Sequence, residues 1–216
     1  MRDEYHITFL RHAESLGNSN RVIQGHVDYE LSMNGKEQAQ RLWLRWQKEQ
    51  VEFDYVISSP LIRAIETADI VTKSTNLKII KDVLWIERNT GDISGLHADE
   101  ADRLFPKTIF RQPYAPFANS GEGEFRLYLR AGEALLSLLE KESGRYLIVS
   151  HGGILNQAIS CLMGIPPHPS QMGIRFRLVN TGISKFIYHP EFHQWEVVCI
   201  NDAAHLAAPY SWNNEV

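Results

Sequence analysis

Apolar residues along this chain follow two alternating rhythms. Short runs rich in β-formers occur at 5–10, 53–57, 77–86 and 146–149, and each predicts a strand, the third one or two short ones. Two further runs, Gly182 to Tyr188 and Trp195 to Ile200, flank the turn His189-Pro190-Glu191-Phe192-His193 and predict an antiparallel hairpin. Between the runs the apolar positions recur at helical spacing. Ser32 is an N-cap candidate for a helix through about Gln50, with Ala39, Leu42, Trp43 and Trp46 on its core face. Ser58 or Ser59 caps a second helix whose first position is Pro60. A third carries Phe125, Tyr128, Leu135, Leu138 and Leu139 and stops at Gly144, and a fourth runs from His151 to about Met163, closed by Gly164 and the Pro166-Pro167 pair. Strand and helix signals in alternation predict an open α/β sheet.

The polar residues that end the strand runs change the picture. The first run stops at Arg11-His12, the second leads into Arg63, the third ends at Glu87, and the run before Ser150 delivers His151-Gly152-Gly153. Taken singly, each reads as a surface turn or a solvated helix residue. Together they converge, because ligands of open α/β sheets bind in the crevice beyond the carboxyl ends of the strands. Arg11 and Arg63 can each make bidentate, charge-assisted bonds, His151 adds a donor, and the glycines beside it let backbone and ligand approach closely. Such a cluster suits a small dianion, and phosphate fits. An imidazole among cations is kept neutral and can act as a nucleophile, which assigns phosphoryl attack to His12 and leaves Glu87 to protonate the departing oxygen. The guanidiniums do the work of a metal, so neither metal nor cofactor is expected.

Two segments lack periodicity. Residues 14–25 read as a loop over the end of the first strand, and 97–123, with Pro106, Pro113, Pro116 and several aromatics, as an irregular cap insertion over the site. At 216 residues and 44% hydrophobic content the chain suits one domain spanning 1–216. A net charge of −4 with dispersed Lys and Arg excludes the basic stripe of a nucleic-acid binder. Cys161 and Cys199 lie in apolar patterns, as buried free thiols in a reducing compartment do. With no apolar stretch near the ~20 residues of a membrane span, the cytoplasm is the expected location. The partners expected are a small phosphorylated metabolite and at most a second copy of the chain, with neither nucleic acid nor membrane.

The residues Leu10-Arg11-His12-Ala13-Glu14-Ser15, Asn18, Gln24-Gly25, Leu31, Gly35, Gln38-Ala39, Ser58 through Ala68, Glu87 with Gly91 and Gly95, Val149 through Gly153, and Asn201 through Leu206 resemble the histidine phosphatase superfamily, in its phosphoglycerate-mutase-like branch. The resemblance spans nearly the whole chain in order. It implies a three-layer α/β/α sandwich with a mostly parallel central sheet and the antiparallel C-terminal hairpin. It also implies His12 as the phosphorylated nucleophile, Glu87 as proton donor, Arg11, Arg63, His151 and Asn18 as phosphate ligands, and Gln24 and Gly25 as the loop beside the substrate. Three positions depart from the pattern: Ala13 replaces a usual glycine, Val22 replaces an arginine, and residues 88–95 lack an aromatic-acidic pair.

The reading favoured is a phosphomonoester hydrolase working through phosphohistidine. A cofactor-dependent phosphoglycerate mutase shares the machinery, but the mutases of the branch look longer between the acid and the second histidine. A non-catalytic phospho-ligand module is disfavoured by the presence of both His12 and Glu87. A metal site at His189 and His193 is disfavoured by Pro190 and by the hairpin context.

Overall fold

The structure, a computed structural model, describes residues 4–106, 112–168 and 173–206. The elements follow in the order β1 (Tyr5–Arg11), α1 (Leu16–Ser19), α2 (Met33–Glu49), β2 (Tyr55–Ser58), α3 (Ile62–Val71), β3 (Ile79–Lys81), α4 (Ala98–Leu104), α5 (Glu124–Leu139), β4 (Gly144–Ser150), α6 (Gly152–Leu162), β5 (Ile183–His189) and β6 (Gln194–Asp202). Two 3-10 turns, Val83–Trp85 and Gly91–Ile93, lie between β3 and α4. The six strands form one sheet in the order β3-β2-β4-β1-β5-β6. The first four are mutually parallel, and β5 and β6 add the antiparallel hairpin.

Side-chain alternation along the strands sorts the core into two layers. Ile7, Phe9, Tyr146 and Ile148 pack against Leu127, Ala131 and Leu138 of α5 and Ile154 and Ala158 of α6. Leu10, Val56, Leu147 and Val149 pack on the other side against Ala39, Leu42 and Trp46 of α2 and Ala64 and Ala68 of α3. Each large side chain so buried contributes about 1.5–3 kcal/mol relative to exposure. The sheet is therefore covered by helices on both faces, which is the three-layer sandwich the sequence implies.

This topology creates the site. Helix α2, which follows β1 and the short α1, packs on one face and α6, which follows β4, on the other, so the chain leaves two adjacent strands toward opposite faces and opens a crevice at their carboxyl ends. The parallel register pairs Arg11 with Ser150. His12 and His151, each one residue beyond, emerge side by side.

Several boundaries differ from the sequence reading. The helix after β2 starts at Ile62 with Leu61 as its cap, because the Ser59 hydroxyl faces His151 and Pro60 lies ahead of the first turn. Residues 14–25 contain a one-turn helix, α1, closed by a capping box between Ser15 and Asn18. Helix α5 ends at Leu139, and Gly144 opens β4 instead of stopping the helix. Its buried stripe runs through Leu127, Ala131, Ala134, Leu135 and Leu138, while Phe125 and Tyr128 lie only partly covered at its edge. Trp46 is core, but Trp43 is half-buried with Lys73 over its ring. The run 77–86 yields one strand and a 3-10 turn. Both cysteines are free and only partly covered. No helix among the described residues is long and apolar enough to cross a membrane.

Residues 107–111 of the segment 97–123 lie outside the described residues. What is described packs beside the residues after Glu87: Asn119 and Ser120 donate to Asp92, and Phe117 lies under the Arg88 guanidinium.

Candidate active site

His12 sits one residue past β1 and is almost completely buried. Its backbone N–H donates to Ser150 O at 2.8 Å, and its carbonyl accepts from Asn180 Nδ2 at 2.9 Å. The ring is 2.7 Å from Ala13 O through Nδ1, and since a carbonyl only accepts, Nδ1 carries the hydrogen. Nε2 is thereby left with a lone pair and has no partner among the described residues. Burial, reinforced by Arg63 and Arg11, holds the imidazole well below its ordinary pKa of 6.5. In the sequence the charged neighbours alone predict a neutral ring. Here loss of solvent is the larger cause and the arginines add to it.

His151 stands with its ring centroid 5.0 Å from that of His12. Arg63 Nε donates to His151 Nδ1 at 3.2 Å, so Nδ1 accepts and Nε2 donates to Ser59 Oγ at 2.7 Å. This ring too is held well below 6.5, first by burial and then by His12 and the two arginines.

The two guanidiniums are the anomaly of the site. Arg45, Arg88, Arg130 and Arg145 each hold a carboxylate oxygen at 2.7 Å. Arg11 and Arg63 hold none among the described residues. Arg63 is 1% exposed and spends its donors on Gly25 O at 2.8 Å, Val27 O at 3.0 Å and His151. Arg11 gives one N–H to Leu178 O at 2.6 Å, while its buried Nε has no partner. Of the five N–H donors of a guanidinium Arg63 uses three and Arg11 one in these contacts, so both keep donors for a ligand, and burial disfavours the charge on both. Guanidinium groups withdrawn from water are costly when no carboxylate hydrogen-bonds to them, even with Glu87 near both and Asp28 near Arg63, and an anion entering the crevice relieves that cost.

Asn18 Oδ1 accepts from Ser15 N and Ser15 Oγ and lies 3.3 Å from Asn180 Nδ2. Gln24 is buried, with its Oε1 accepting from Ser15 Oγ at 2.8 Å. Gly25 has φ 51°, and a Cβ there would stand 2.3 Å from Thr90 Oγ1. Its carbonyl, turned inward, anchors Arg63. Gln24 and Gly25 are thus tied to Ser15 and Arg63 respectively.

The Glu87 carboxylate lies at the first turn of α6, accepting from Gly153 N at 3.0 Å, Ile154 N at 3.2 Å and Arg88 N at 2.8 Å. Gly153 is the close approach here, since a Cβ on it would stand 2.4 Å from Glu87 Oε1. Gly152 has room for a Cβ at 3.6 Å from Arg11 Nε. The structure thus brings together His12, His151, Arg11, Arg63, Asn18, Glu87 and Gly152.

Some contributors escaped the sequence reading. Asn180, Ser59 and Thr67, which accepts from Ala13 N at 3.0 Å, hold the two histidines and their backbone. His26 lies 2.7 Å from the Glu87 carbonyl. The sequence signal for Asn180 is slight, an amide just ahead of a strand, and nothing local ties it to His12. A cavity of about 640 Å³ opens beside Arg11 and Glu87, with Asn156, Arg175, Arg177 and Leu206 among its walls. The hairpin histidines are occupied otherwise, His189 by Glu4 and Glu196 and His193 by Tyr188. Among the described residues no group of three or more His, Cys, Asp or Glu side chains could hold a metal ion.

Comparison with known proteins agrees with this geometry. The chain is 33% identical to phosphoglycerate mutase-like protein 4 of Arabidopsis thaliana, over 94% of this chain and 88% of that protein. Among solved structures it superposes on Bacillus stearothermophilus YhfR with a TM-score of 0.81 and 28% identity, covering 93% and 98% of the two chains. It also superposes on a phosphoserine phosphatase of Entamoeba histolytica, solved in complex with 3-phosphoglyceric acid, with a TM-score of 0.77 and 26% identity over 94% and 99%. The family model of the histidine phosphatase superfamily, branch 1, matches residues 7–203. With His12 and His151 at adjacent strand ends and two arginines around them, the chain belongs to the histidine phosphatase superfamily.

Proposed function

We propose that this protein hydrolyses small phosphomonoesters through a phosphohistidine on His12. The observation that carries the reading is the pair of arginines, Arg63 buried and Arg11 partly so, that hydrogen-bond to no carboxylate among the described residues and flank an imidazole whose Nδ1 is occupied and whose Nε2 has no partner among them. The phosphoryl group enters between Arg11, Arg63, His151 and the amide of Asn18. Nε2 of His12 attacks phosphorus, the bond to the ester oxygen breaks, and that oxygen takes a proton from Glu87 as the alcohol leaves. Negative charge on the equatorial oxygens is met by guanidinium N–H groups already in place, so little reorganisation accompanies the transition state. Glu87, now ionised, takes a proton from water as its oxygen attacks phosphorus. The P–N bond breaks, inorganic phosphate departs, and His12 returns to its neutral form.

Glu87 meets this role by letting go of an amide at the start of α6, where its oxygens act only as acceptors. Phosphatase and mutase share every step up to the phosphohistidine. The roomy, polar cavity beside Glu87 supports water as the second acceptor, because a mutase has to shield its intermediate. A panel of phosphomonoesters scored for free phosphate, run beside a 3-phosphoglycerate isomerisation assay, tests the reading. Phosphate release without isomerisation is the expected result, and isomerisation without release would replace hydrolase by mutase.

A further inference from the structure

The Glu87 carboxylate faces three backbone amides, and it has to let go of at least one of them before an oxygen can give up a proton. Its own contacts therefore cannot fix it during the transfer. Its aim depends on the backbone behind it, and that backbone has no neighbour in the sheet: β3 ends at Lys81, and residues 84–87 pass from a 3-10 turn into irregular chain. Their carbonyls are held by side chains instead.

Arg130 of α5 donates from Nη1 to Leu84 O at 2.8 Å and to Ile86 O at 2.7 Å, and from Nη2 to Glu87 O at 3.2 Å. Between these, Trp85 O accepts from Ser150 Oγ at 2.6 Å. The remaining N–H groups of Arg130 meet both oxygens of Glu122, Nε at 2.8 Å and Nη2 at 2.7 Å. All five donors are thereby in use, where Arg11 and Arg63 keep some for a ligand. Glu122 is tied in turn to the chain just past the acid, since its N–H donates to Asn89 O at 2.8 Å. A planar guanidinium can span three carbonyls and a carboxylate at once, which a lysine cannot.

We infer that Arg130, oriented by Glu122, is a positioning residue for the proton-donor step: it fixes the stretch of backbone that aims Glu87 at the departing oxygen. This rests on the hydrolase reading above, with Glu87 as the donor. Arg130 is absent from the residues that line the cavity, so it acts through Glu87 and not on the substrate. Three of its five bonds converge on one four-residue stretch that ends at the acid, which is more than a pair serving stability alone requires.

The test is kcat/KM, which reports the steps through loss of the alcohol, on glycerol 3-phosphate and on p-nitrophenyl phosphate. Arg130→Lys keeps the charge but loses the fork, and it should slow glycerol 3-phosphate by about ten- to hundredfold, the cost of a small misplacement. The nitrophenyl ester, whose leaving group needs no proton, should lose less than about threefold. Glu122→Gln sets a donor against the guanidinium while leaving Arg130 in place, so it should show a milder form of the same split and serves if Arg130→Lys does not fold. In a Glu87→Gln background Arg130→Lys should cost nothing further on glycerol 3-phosphate, because no donor remains to be aimed. Arg145→Lys, at the other end of β4 and paired with Glu52 and Asp54, should leave the ratio of the two esters as it is. Equal losses on both esters in Arg130→Lys or Glu122→Gln, or a further loss in the Glu87→Gln background, would make the pair purely structural and overturn the inference while the hydrolase stands. If Glu87→Gln itself slows both esters alike, Glu87 is not the donor, and the inference falls with that part of the hydrolase reading.

Discussion

Arg63 donates from Nε to Nδ1 of His151 at 3.2 Å, and this bond decides which nitrogen of His151 carries its hydrogen. Since a guanidinium has no acceptor, the imidazole must present a lone pair to it. The other ring nitrogen then donates to Ser59 Oγ at 2.7 Å. Three elements meet in that chain of contacts: α3 carries the arginine, the end of β2 the serine and the end of β4 the histidine. A phosphoryl group arriving between the histidines competes for the same donors, so binding is coupled to the tautomer and charge of His151.

Stability should therefore depend on pH in a defined window. His12 and His151 stay neutral in the folded state, first because they are buried, while in the unfolded chain they titrate near 6.5. Below that value the unfolded state binds more protons than the folded one, so stability falls as pH drops and levels off above 6.5. Each histidine contributes a slope of about 1.4 kcal/mol per pH unit at most. His205, held down to about 4 chiefly by burial, acts in the same direction. Urea unfolding between pH 5 and 8 measures this, and His151→Asn should flatten the slope. A midpoint unchanged from pH 7 down to 5 would contradict neutral buried rings.

Phosphate should stabilise the protein more than an equal concentration of chloride does. The crevice holds Arg11 Nε buried without a partner and Arg63 without a carboxylate, and an anion that supplies both binds only the folded state. At a hundred times its dissociation constant such a ligand adds about 2.7 kcal/mol. Thermal unfolding in inorganic phosphate or orthovanadate is the measurement. Arg63→Gln should abolish the increment and cost roughly a hundredfold or more in kcat/KM. A full increment in that variant would locate the anion elsewhere.

Quenching with denaturant after brief exposure to a labelled phosphomonoester should trap acid-labile, base-stable label on His12. His12→Ala should take no label and lose activity by roughly a thousandfold or more. Because guanidiniums carry the charge stabilisation, EDTA should change neither the label nor the rate. Loss of activity in EDTA that a divalent metal restores would overturn this mechanism.

Glu87 is tested by leaving groups. Glu87→Gln should slow glycerol phosphate, whose alkoxide needs a proton, far more than p-nitrophenyl phosphate, whose phenolate leaves without one. Gly153→Ala pushes a methyl group to 2.4 Å from Glu87 Oε1 and should show a milder form of the same split, since the carboxylate can turn aside. Equal losses on both esters would remove Glu87 from the proton-transfer step.

Much of the site was legible because strand ends carry it. Arg11-His12 and His151 follow apolar runs directly, and their meeting needs only that the strands be parallel neighbours, which the register of Arg11 with Ser150 provides. The second arginine was legible as well, though its helix begins at Ile62, two residues beyond Pro60. The Ser59 hydroxyl, free to cap in a local reading, meets His151 just past the end of β4. The contact between the Gly25 carbonyl and Arg63 was not legible, because a carbonyl's direction depends on a backbone angle that composition does not reveal.

The sequence alone determined the alternation of strands and helices, the residues at each strand's end and the chemistry those residues permit, because these depend on local periodicity and on side-chain type. The tertiary structure decided everything that depends on separation in space. It set β4 between β1 and β2, which placed the histidine rings 5.0 Å apart. It withdrew water from them, which turned ordinary imidazoles into neutral ones. It also brought Asn180 to the His12 carbonyl, 168 residues away along the chain, and set Arg175 in the wall of the cavity beside Arg11. Burial and long-range contact arise only when the chain closes on itself, and no window of sequence contains them.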